Sequence, residues 1–368
     1  MNCLALRELV SIAGTALQSN FVRLKRPYKL NFAITYWCQS RCQTCNIWQM
    51  KPKGELSLDE IKEFAKKNGY FKWIEITGGE PFLRSDIVDI VRAFKESSKN
   101  LYIVTIPTNS LTDHNTVIKR IEGILELGIP KLAITVSLDG YRDLHDKIRG
   151  VPGNYDKAID MYKRLLELKS THKNLYFVFG YTLSSLNKGQ FAKTFDEVKK
   201  EIPSITYNDF HINLAQISDN YYNNSNLQIG ASGDGVPEEI AHIVSMRRKS
   251  LNPIDLIEYT FLKGLATYAK TGKMPMHSRS LEASVFVDSF GNVFPSIMWN
   301  TKIGNIRESD YYIEKLLSTE KAATVYKAIK EGKEPLQWTS CEAYQAITGN
   351  IASIFTTKID HSLIKKWN

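Results

Sequence analysis

A regular alternation of short β-rich runs and helical patterns occupies residues 29 to about 215, and it constrains the fold more than any other feature. The β-rich runs lie at Leu30–Tyr36, Trp73–Thr77, Leu101–Thr108, Leu132–Leu138, Leu175–Leu183 and Phe210–Ala215. Helical patterns lie between them, at Ile87–Phe94, Val117–Leu127, Tyr155–Leu168 and Phe191–Glu201, and a further helix begins at a capping box of Ser57 and Glu60. Six strand–helix repeats predict a parallel sheet.

The first strand is not followed by the glycine-rich turn of a dinucleotide-binding domain. We therefore predict an α/β fold with a partial (β/α)6 TIM-like barrel, whose site lies at the carboxyl ends of the strands. After a segment rich in glycine, aspartate and serine at 229–235, the pattern changes to helices and a hairpin that turns near Asp288–Asn292. The predicted units are an amphipathic helix at 1–28, the partial barrel at 29–225 and a smaller α+β domain at 226–368.

The amino-terminal segment has one apolar face. Its apolar residues recur at helical spacing and are Leu6, Leu9, Val10, Ala13, Leu17 and Phe21. The segment ends in the cations Arg23, Lys25 and Arg26. Two interpretations remain open, a helix that covers the base of the next domain and a helix that lies on a membrane surface.

Net charge and cysteine content limit where the protein is expected to reside and which partners it is expected to have. The formal net charge of +9 favours acidic partners, although a lysine-rich solvated surface explains it equally well. We expect no nucleic-acid substrate, because the chain has no recognisable RNA-binding module or local basic tract. Five mostly clustered cysteines do not resemble a secreted disulfide framework, no apolar run could span a bilayer, and no convincing signal peptide is present. We therefore expect a cytoplasmic protein.

Three of the five cysteines lie within eight residues, at Cys38, Cys42 and Cys45, just after the first predicted strand. Thiolates at this spacing can hold an iron–sulfur cluster or contribute to a zinc site. Structural zinc normally takes four protein ligands, and no fourth cysteine or histidine is near in sequence. A cubane cluster held by three cysteines would leave one iron open, which is a catalytic arrangement.

Three further motifs end successive predicted strands: "TGGEP" at 77–81, "PTNS" at 107–110 and "VSLDGYRDLHDKIRG" at 136–150. Together with the cysteines they resemble the radical S-adenosylmethionine (SAM) superfamily from about residue 30 to residue 224. The resemblance implies one 4Fe–4S cluster on Cys38, Cys42 and Cys45, with SAM on the open iron. It also implies reductive cleavage of SAM to a 5′-deoxyadenosyl radical, which takes hydrogen from a substrate.

The same resemblance implies that a set of polar and glycine residues binds SAM: Gly78, Gly79, Glu80, Asn109, Ser137 and Arg149. The glycines would let the backbone approach the methionyl group, and Glu80 would accept from its ammonium. Arg149 would pair with the carboxylate of SAM, and Ser137 would face the ribose. The family usually has an aromatic residue immediately before the third cysteine, where this chain has Thr44; the nearest aromatics are Trp37 and Trp48.

Residues 279–306 and 338–345 resemble parts of the family's SPASM or twitch extension, which carries auxiliary iron–sulfur clusters on cysteines. Here Ser278, Ser296 and Gln337 stand where ligands are expected, and only Cys341 is a cysteine. One cysteine cannot hold a cubane cluster. We therefore expect a degenerate extension without auxiliary iron, retained for its fold and as a lid on the barrel.

The predicted barrel mouth is polar and aromatic, and its residues are Tyr181, Thr182, His211, Asn213, Gln216, Ser218 and Tyr221. We assign no catalytic role to His211 or Tyr221. The predicted substrate is a peptide or other natural product, and the alternative is a membrane lipid or isoprenoid, with peripheral membrane contact. The expected reductant is a flavodoxin or ferredoxin, both usually acidic. The non-enzyme alternatives are an iron–sulfur electron carrier and a zinc-stabilised binding module.

Overall fold

A computed structural model describes residues 3–230, 233, 235–248 and 250–367. The strands are β1 (Lys29–Thr35), β2 (Trp73–Gly78), β3 (Ile103–Thr108), β4 (Lys131–Ser137), β5 (Leu175–Leu183), β6 (Phe210–Leu214), β7 (Ser284–Val287), β8 (Asn292–Phe294) and β9 (Gly304–Asn305). The helices are α1 (Cys3–Gln18), α2 (Leu58–Lys67), α3 (Ile87–Ser97), α4 (His114–Glu126), α5 (Arg142–Arg149), α6 (Asn154–Thr171), α7 (Phe191–Glu201), α8 (Val236–Met246), α9 (Pro253–Thr271), α10 (Ile313–Leu317), α11 (Glu320–Lys330), α12 (Ser340–Thr348), α13 (Ser353–Thr356) and α14 (His361–Trp367).

The strands form one sheet in the order β6-β5-β4-β3-β2-β1-β7-β8-β9. The first six strands are parallel and lie in sequence order, which confirms the predicted partial barrel. The predicted hairpin is formed by β7 and β8, and β7 pairs in parallel with β1, with Lys29 opposite Ser284. The carboxyl-terminal strands therefore extend the sheet of the barrel, and the domain boundary at 225/226 stays a prediction.

Local sequence explains the elements that position the site. At the start of α2, the Ser57 N–H donates to Glu60 Oε2 at 2.9 Å and the Glu60 N–H donates to Ser57 Oγ at 3.3 Å, which confirms the capping box. In β3 and β4, buried apolar residues that face the surrounding helices alternate with residues that face the barrel interior. The eight-residue helix α5, which the sequence pattern did not predict, follows β4 and ends beside the cysteine loop.

The amino-terminal helix α1 lies against the base of the barrel, in agreement with the interpretation that it covers the next domain. The Lys72 ammonium donates to the Ser11 carbonyl at 2.9 Å, and Lys95 pairs with buried Glu8 at 2.7 Å. Among the described residues, no helix is both long and apolar enough to cross a membrane.

Candidate active site

The three cysteines of the loop after β1 line one cavity of about 250 Å³ at the carboxyl ends of the strands. All six predicted SAM contacts line the same cavity: Gly78, Gly79, Glu80, Asn109, Ser137 and Arg149. They come from the ends of β2, β3 and β4 and from the end of α5, so that four separate motifs converge. The assignment of the cysteines to a cluster and of the six residues to SAM stays a prediction.

Two of the three sulfur atoms have a polar donor beside them, and two of the three thiols are strongly desolvated. Asn109 Nδ2 donates to Cys38 Sγ at 3.6 Å, and Arg149 Nη1 donates to Cys42 Sγ at 3.5 Å. Burial raises the pKa of Cys38 to about 12 and holds the pKa of Cys45 above its usual range. Without a metal these two residues are thiols at neutral pH, so we expect that cluster binding releases protons.

Within the described part of the chain, no three His, Cys, Asp or Glu side chains form a group that could hold one metal ion. In a cubane, by contrast, each thiolate would bind a different iron. Cys38, Cys42 and Cys45, which line one cavity, would supply three ligands to such a cluster and leave one iron open.

Arg149 joins the cysteine loop to the end of α5. Its Nε lies 2.7 Å from Asp139 Oδ2, and both side chains are largely buried. The Arg149 carbonyl accepts from the Arg41 N–H at 3.0 Å, and Gly150 has a φ of +67° at the helix end. Sequence reasoning missed Asp139, although the "SLDG" segment places this acid ten residues before Arg149. The ion pair with Asp139 holds the guanidinium on the cavity wall, where its Nη1 donates to Cys42 Sγ.

Glu80 is a buried carboxyl group at the end of β2. Its Oε2 accepts from the Asn109 N–H at 2.7 Å, and its Oε1 accepts from the Phe82 N–H at 3.2 Å. Burial raises the pKa of Glu80 to about 7, and these two hydrogen bonds oppose the shift. The carboxylate is therefore positioned to accept from a cationic ligand, whose charge would lower the pKa again.

Steric crowding requires glycine at both positions at the end of β2, which the sequence did not indicate. A Cβ on Gly78 would lie 2.0 Å from the Thr35 carbonyl oxygen, and Gly78 has a φ of +133°. A Cβ on Gly79 would lie 2.2 Å from the Trp37 carbonyl oxygen. Both glycines therefore allow the end of β2 to approach the backbone that carries the first cysteine.

Six of the seven predicted mouth residues line the cavity, and Ser218 does not. The Tyr221 hydroxyl lies 2.6 Å from Thr77 Oγ1 and donates to the Gly78 carbonyl at 3.1 Å, so that it supports the glycine turn. His211 Nδ1 lies 2.9 Å from Glu258 Oε1, and Asn213 Nδ2 lies 2.8 Å from His211 Nε2.

Of the two tryptophans near the cysteines, one lines the cavity and the other does not. Trp48 and Thr44 line the cavity. Trp37 does not, and 52% of it is exposed to solvent. Trp48 is therefore the aromatic residue of this loop that is best placed to contact an adenine ring.

The carboxyl-terminal segment contributes to the cavity wall through Thr339, Ser340 and Cys341. Ser296 and Gln337 stand at two positions where the family's extension has cluster ligands. Here their side chains form a hydrogen bond, in which Ser296 Oγ donates to Gln337 Oε1 at 2.7 Å. Cys341 Sγ donates to Glu75 Oε1 at 3.1 Å. These contacts agree with an extension that has lost its auxiliary-cluster ligands.

Comparison with known proteins decides the family. A family model described as "Radical SAM superfamily" matches residues 32–217, which is half of the chain. The chain belongs to the radical SAM superfamily. It is therefore an enzyme of the class that uses a 4Fe–4S cluster and SAM, and the electron carrier and the zinc module are set aside.

Two curated relatives match part of the chain. An AdoMet-dependent heme synthase from Methanosarcina barkeri is 27% identical over 191 residues, which cover 50% of this chain and 51% of the relative. A GTP 3′,8-cyclase from Limosilactobacillus fermentum is 36% identical over 141 residues, which cover 36% of this chain and 39% of the relative. The matches thus span about half or less of these relatives' lengths.

A solved structure matches the chain over most of its length. The structure of anSMEcpe with bound AdoMet and Cp18Cys peptide has a TM-score of 0.55 and 18% sequence identity, and the match covers 93% of this chain and 99% of that chain. At this identity the likeness shows the fold alone. It extends over the carboxyl-terminal part, where Cys341 is the single cysteine of this chain.

Proposed function

We propose that the protein cleaves SAM reductively and uses the resulting radical to abstract hydrogen from a peptide or other natural-product substrate. The observation that carries this proposal is the convergence of three thiols, Glu80 and Arg149 on one cavity. When bound, the cluster and SAM supply one electron and a 5′-deoxyadenosyl radical, which takes a hydrogen atom from a C–H bond of the substrate.

The chain's own residues would bind and orient SAM. Glu80, held by two backbone N–H groups, would accept from the ammonium group. Arg149, fixed by Asp139, would attract the carboxylate. Asn109 would donate to the first sulfur, and the Ser137 hydroxyl would face the ribose. The buried walls would exclude water from the radical.

The peptide class is supported by likeness of fold. The anSMEcpe structure contains a peptide together with AdoMet, and its fold matches nearly the whole of this chain. The polar mouth, with Thr182, Asn213 and Gln216 on the cavity wall, offers donors and acceptors for amide groups.

A second substrate class, a membrane lipid or isoprenoid, is favoured by a different observation. A second cavity, lined mainly by apolar and aromatic side chains, lies between α1 and the strand beginnings and shares wall residues with the first. An extended peptide would not need such a cavity, whereas a hydrocarbon chain would.

The reaction needs a one-electron donor, and we propose an acidic flavodoxin or ferredoxin. The chain's net charge of +9 would attract such a partner.

The test of the proposed function is anaerobic reconstitution with iron and sulfide, followed by SAM and dithionite. We expect absorption near 400 nm and formation of 5′-deoxyadenosine. Cys42→Ala should lose both iron and product, whereas the matched Cys341→Ala should keep its iron, because Cys341 lies outside the three-cysteine motif and its thiol donates to Glu75. Iron-replete wild-type protein that forms no 5′-deoxyadenosine would refute the proposal.

A further inference from the structure

The second cavity has a volume of about 320 Å³ and lies below the first, at the amino ends of the barrel strands. Its wall is formed by the first inward-facing residues of the strands, by one face of α1, and by residues of α9 and α12. The wall is mostly apolar, and its acidic and basic side chains are Glu75, Lys131, His211, Arg247 and Glu258. Representative wall residues are Ile103, Ala133 and Val178 from the strands and Leu9, Ile12 and Ala16 from α1. Protein interiors are normally packed without voids of this size, so an apolar cavity of ligand size indicates a binding site.

The two cavities are neighbours inside the barrel. Thr135, His211 and Ser340 line both of them. Because β4 runs from Lys131 at the lower cavity to Ser137 at the upper one, a chain that enters from below points along the strands toward the site of SAM cleavage. The lower cavity thus adjoins the proposed reaction site across these shared wall residues.

Part of the apolar face of α1 lies outside the cavity and is exposed to solvent. Leu6 is 49% exposed, Val10 is 62% exposed and Leu17 is 49% exposed. Phe21, just after the helix, is 79% exposed. A helix that is apolar toward a cavity and also toward solvent, and that is followed by basic residues, suits the surface of an anionic membrane.

We propose that the lower cavity binds the hydrocarbon chain of a membrane amphiphile, which enters beside α1 and presents a C–H bond to the upper cavity. This inference rests on the proposed cleavage of SAM, and it develops the second substrate class, the membrane lipid or isoprenoid. The shared chemistry is a flexible apolar chain, and an unbranched acyl chain and an isoprenoid chain are the two sources.

The first experiment measures binding of two tritiated alcohols, dodecanol and farnesol, to the reconstituted holoenzyme by equilibrium gel filtration. We expect micromolar binding of at least one of them. Ala133→Phe fills the lower cavity from β4 and should weaken binding at least tenfold. The matched Ala323→Phe places the same side chain on the exposed face of α11 and should bind like the wild type.

A second blocking variant guards against misfolding of the first. Ala16→Phe fills the same cavity from α1, outside the sheet, and should weaken binding to a similar extent. Preference for dodecanol identifies an acyl source, and preference for farnesol identifies an isoprenoid source. Equal binding by the wild type and both blocking variants would overturn the inference, as would no binding of either alcohol.

The second experiment tests whether the hydrocarbon chain enters from a membrane. Co-sedimentation with vesicles of phosphatidylglycerol and phosphatidylcholine should fall severalfold for Leu17→Ser and not for Leu166→Ser, a leucine of α6 that is 38% exposed. Equal loss in both variants, or no sedimentation of the wild type, would contradict entry from a membrane.

An assay of 5′-deoxyadenosine formation in the absence of dodecanol and farnesol separates the two proposals. If the holoenzyme cleaves SAM but binds neither alcohol, the cavity inference fails and the proposed function stands. If it binds an alcohol at the lower cavity but forms no 5′-deoxyadenosine, the proposed function fails and the binding site stands.

Discussion

Replacement of Gly79 by alanine tests how closely the end of β2 must approach the cysteine loop. The new Cβ would lie 2.2 Å from the Trp37 carbonyl oxygen and 3.0 Å from Cys38 Cβ, whereas ordinary contact begins at 3.4 Å. The backbone around Trp37 must therefore move by about 1.2 Å, since a carbonyl in a strand-end hydrogen bond has no rotamer to escape into. That carbonyl now accepts from the Glu80 N–H at 2.8 Å.

Overpacking of this kind costs about 1–3 kcal/mol of the free energy of unfolding. A displacement of about 1 Å at a reacting group can cost about 100-fold in rate. We therefore expect Gly79→Ala to unfold at lower urea concentration, and to cleave SAM at least about 100-fold more slowly per bound cluster.

The assays are anaerobic urea unfolding, iron content after reconstitution and the rate of 5′-deoxyadenosine formation. Gly14→Ala is the matched control, because a Cβ at this helical glycine meets nothing within 4 Å. We expect this control to gain up to about 1 kcal/mol of stability. Wild-type cleavage by Gly79→Ala would show that the close approach of β2 to the loop is not needed for the reaction.

Three further predictions concern charge. Arg149→Lys loses the planar contact that spans Asp139 and Cys42, so the apparent Kd for SAM, measured by calorimetry, should rise about 10- to 100-fold. The control is Arg142→Lys, a half-exposed arginine of the same helix that does not line the cavity. Burial raises the pKa of Glu342 to about 7, so the folded protein holds this proton more tightly than the unfolded chain does. The free energy of unfolding should therefore fall by on the order of 3 kcal/mol as the pH rises from 4.5 to 7, and it should level off above pH 7. Glu342→Gln resembles the protonated acid and should flatten this pH dependence in urea titrations; an unchanged slope would contradict the assignment. SAM cleavage driven by an acidic flavodoxin should slow severalfold between 0.05 and 0.5 M salt, and a rate independent of salt would refute electrostatic docking.

The strands were predictable because their signals are local. Each of the six barrel strands lies within two residues of its predicted bounds, since buried β-branched runs between turn residues leave little choice. The cysteine loop and the "TGGEP" segment could be placed at one edge of the sheet, because the carboxyl ends of parallel strands meet there. The pairing of β7 with β1 was not predictable, since no periodicity records which distant edge a hairpin joins.

The rest of the site depends on three-dimensional approach. Gly79 was expected to make room for a ligand, and the structure adds that it makes room for the Trp37 carbonyl. The lower cavity was not visible in the sequence, because residues such as Ile12 and Ile103 come from elements far apart in the chain. Only packing shows that apolar residues on α1 and β3 face each other without filling the space between them.

The pairing of β1 with β7 has a consequence for biosynthesis. One edge of the strand that carries the cysteine loop stays unpaired until Ser284 has emerged, 255 residues after its partner Lys29. At a translation rate of about 5–20 residues per second, this interval is roughly 10–50 s. Unpaired edges recruit other chains, so the nascent protein passes through a period of aggregation risk that does not end until the hairpin has been synthesised. A chain stalled or truncated before residue 284 should therefore occupy chaperones, even though every strand of the barrel itself is already present.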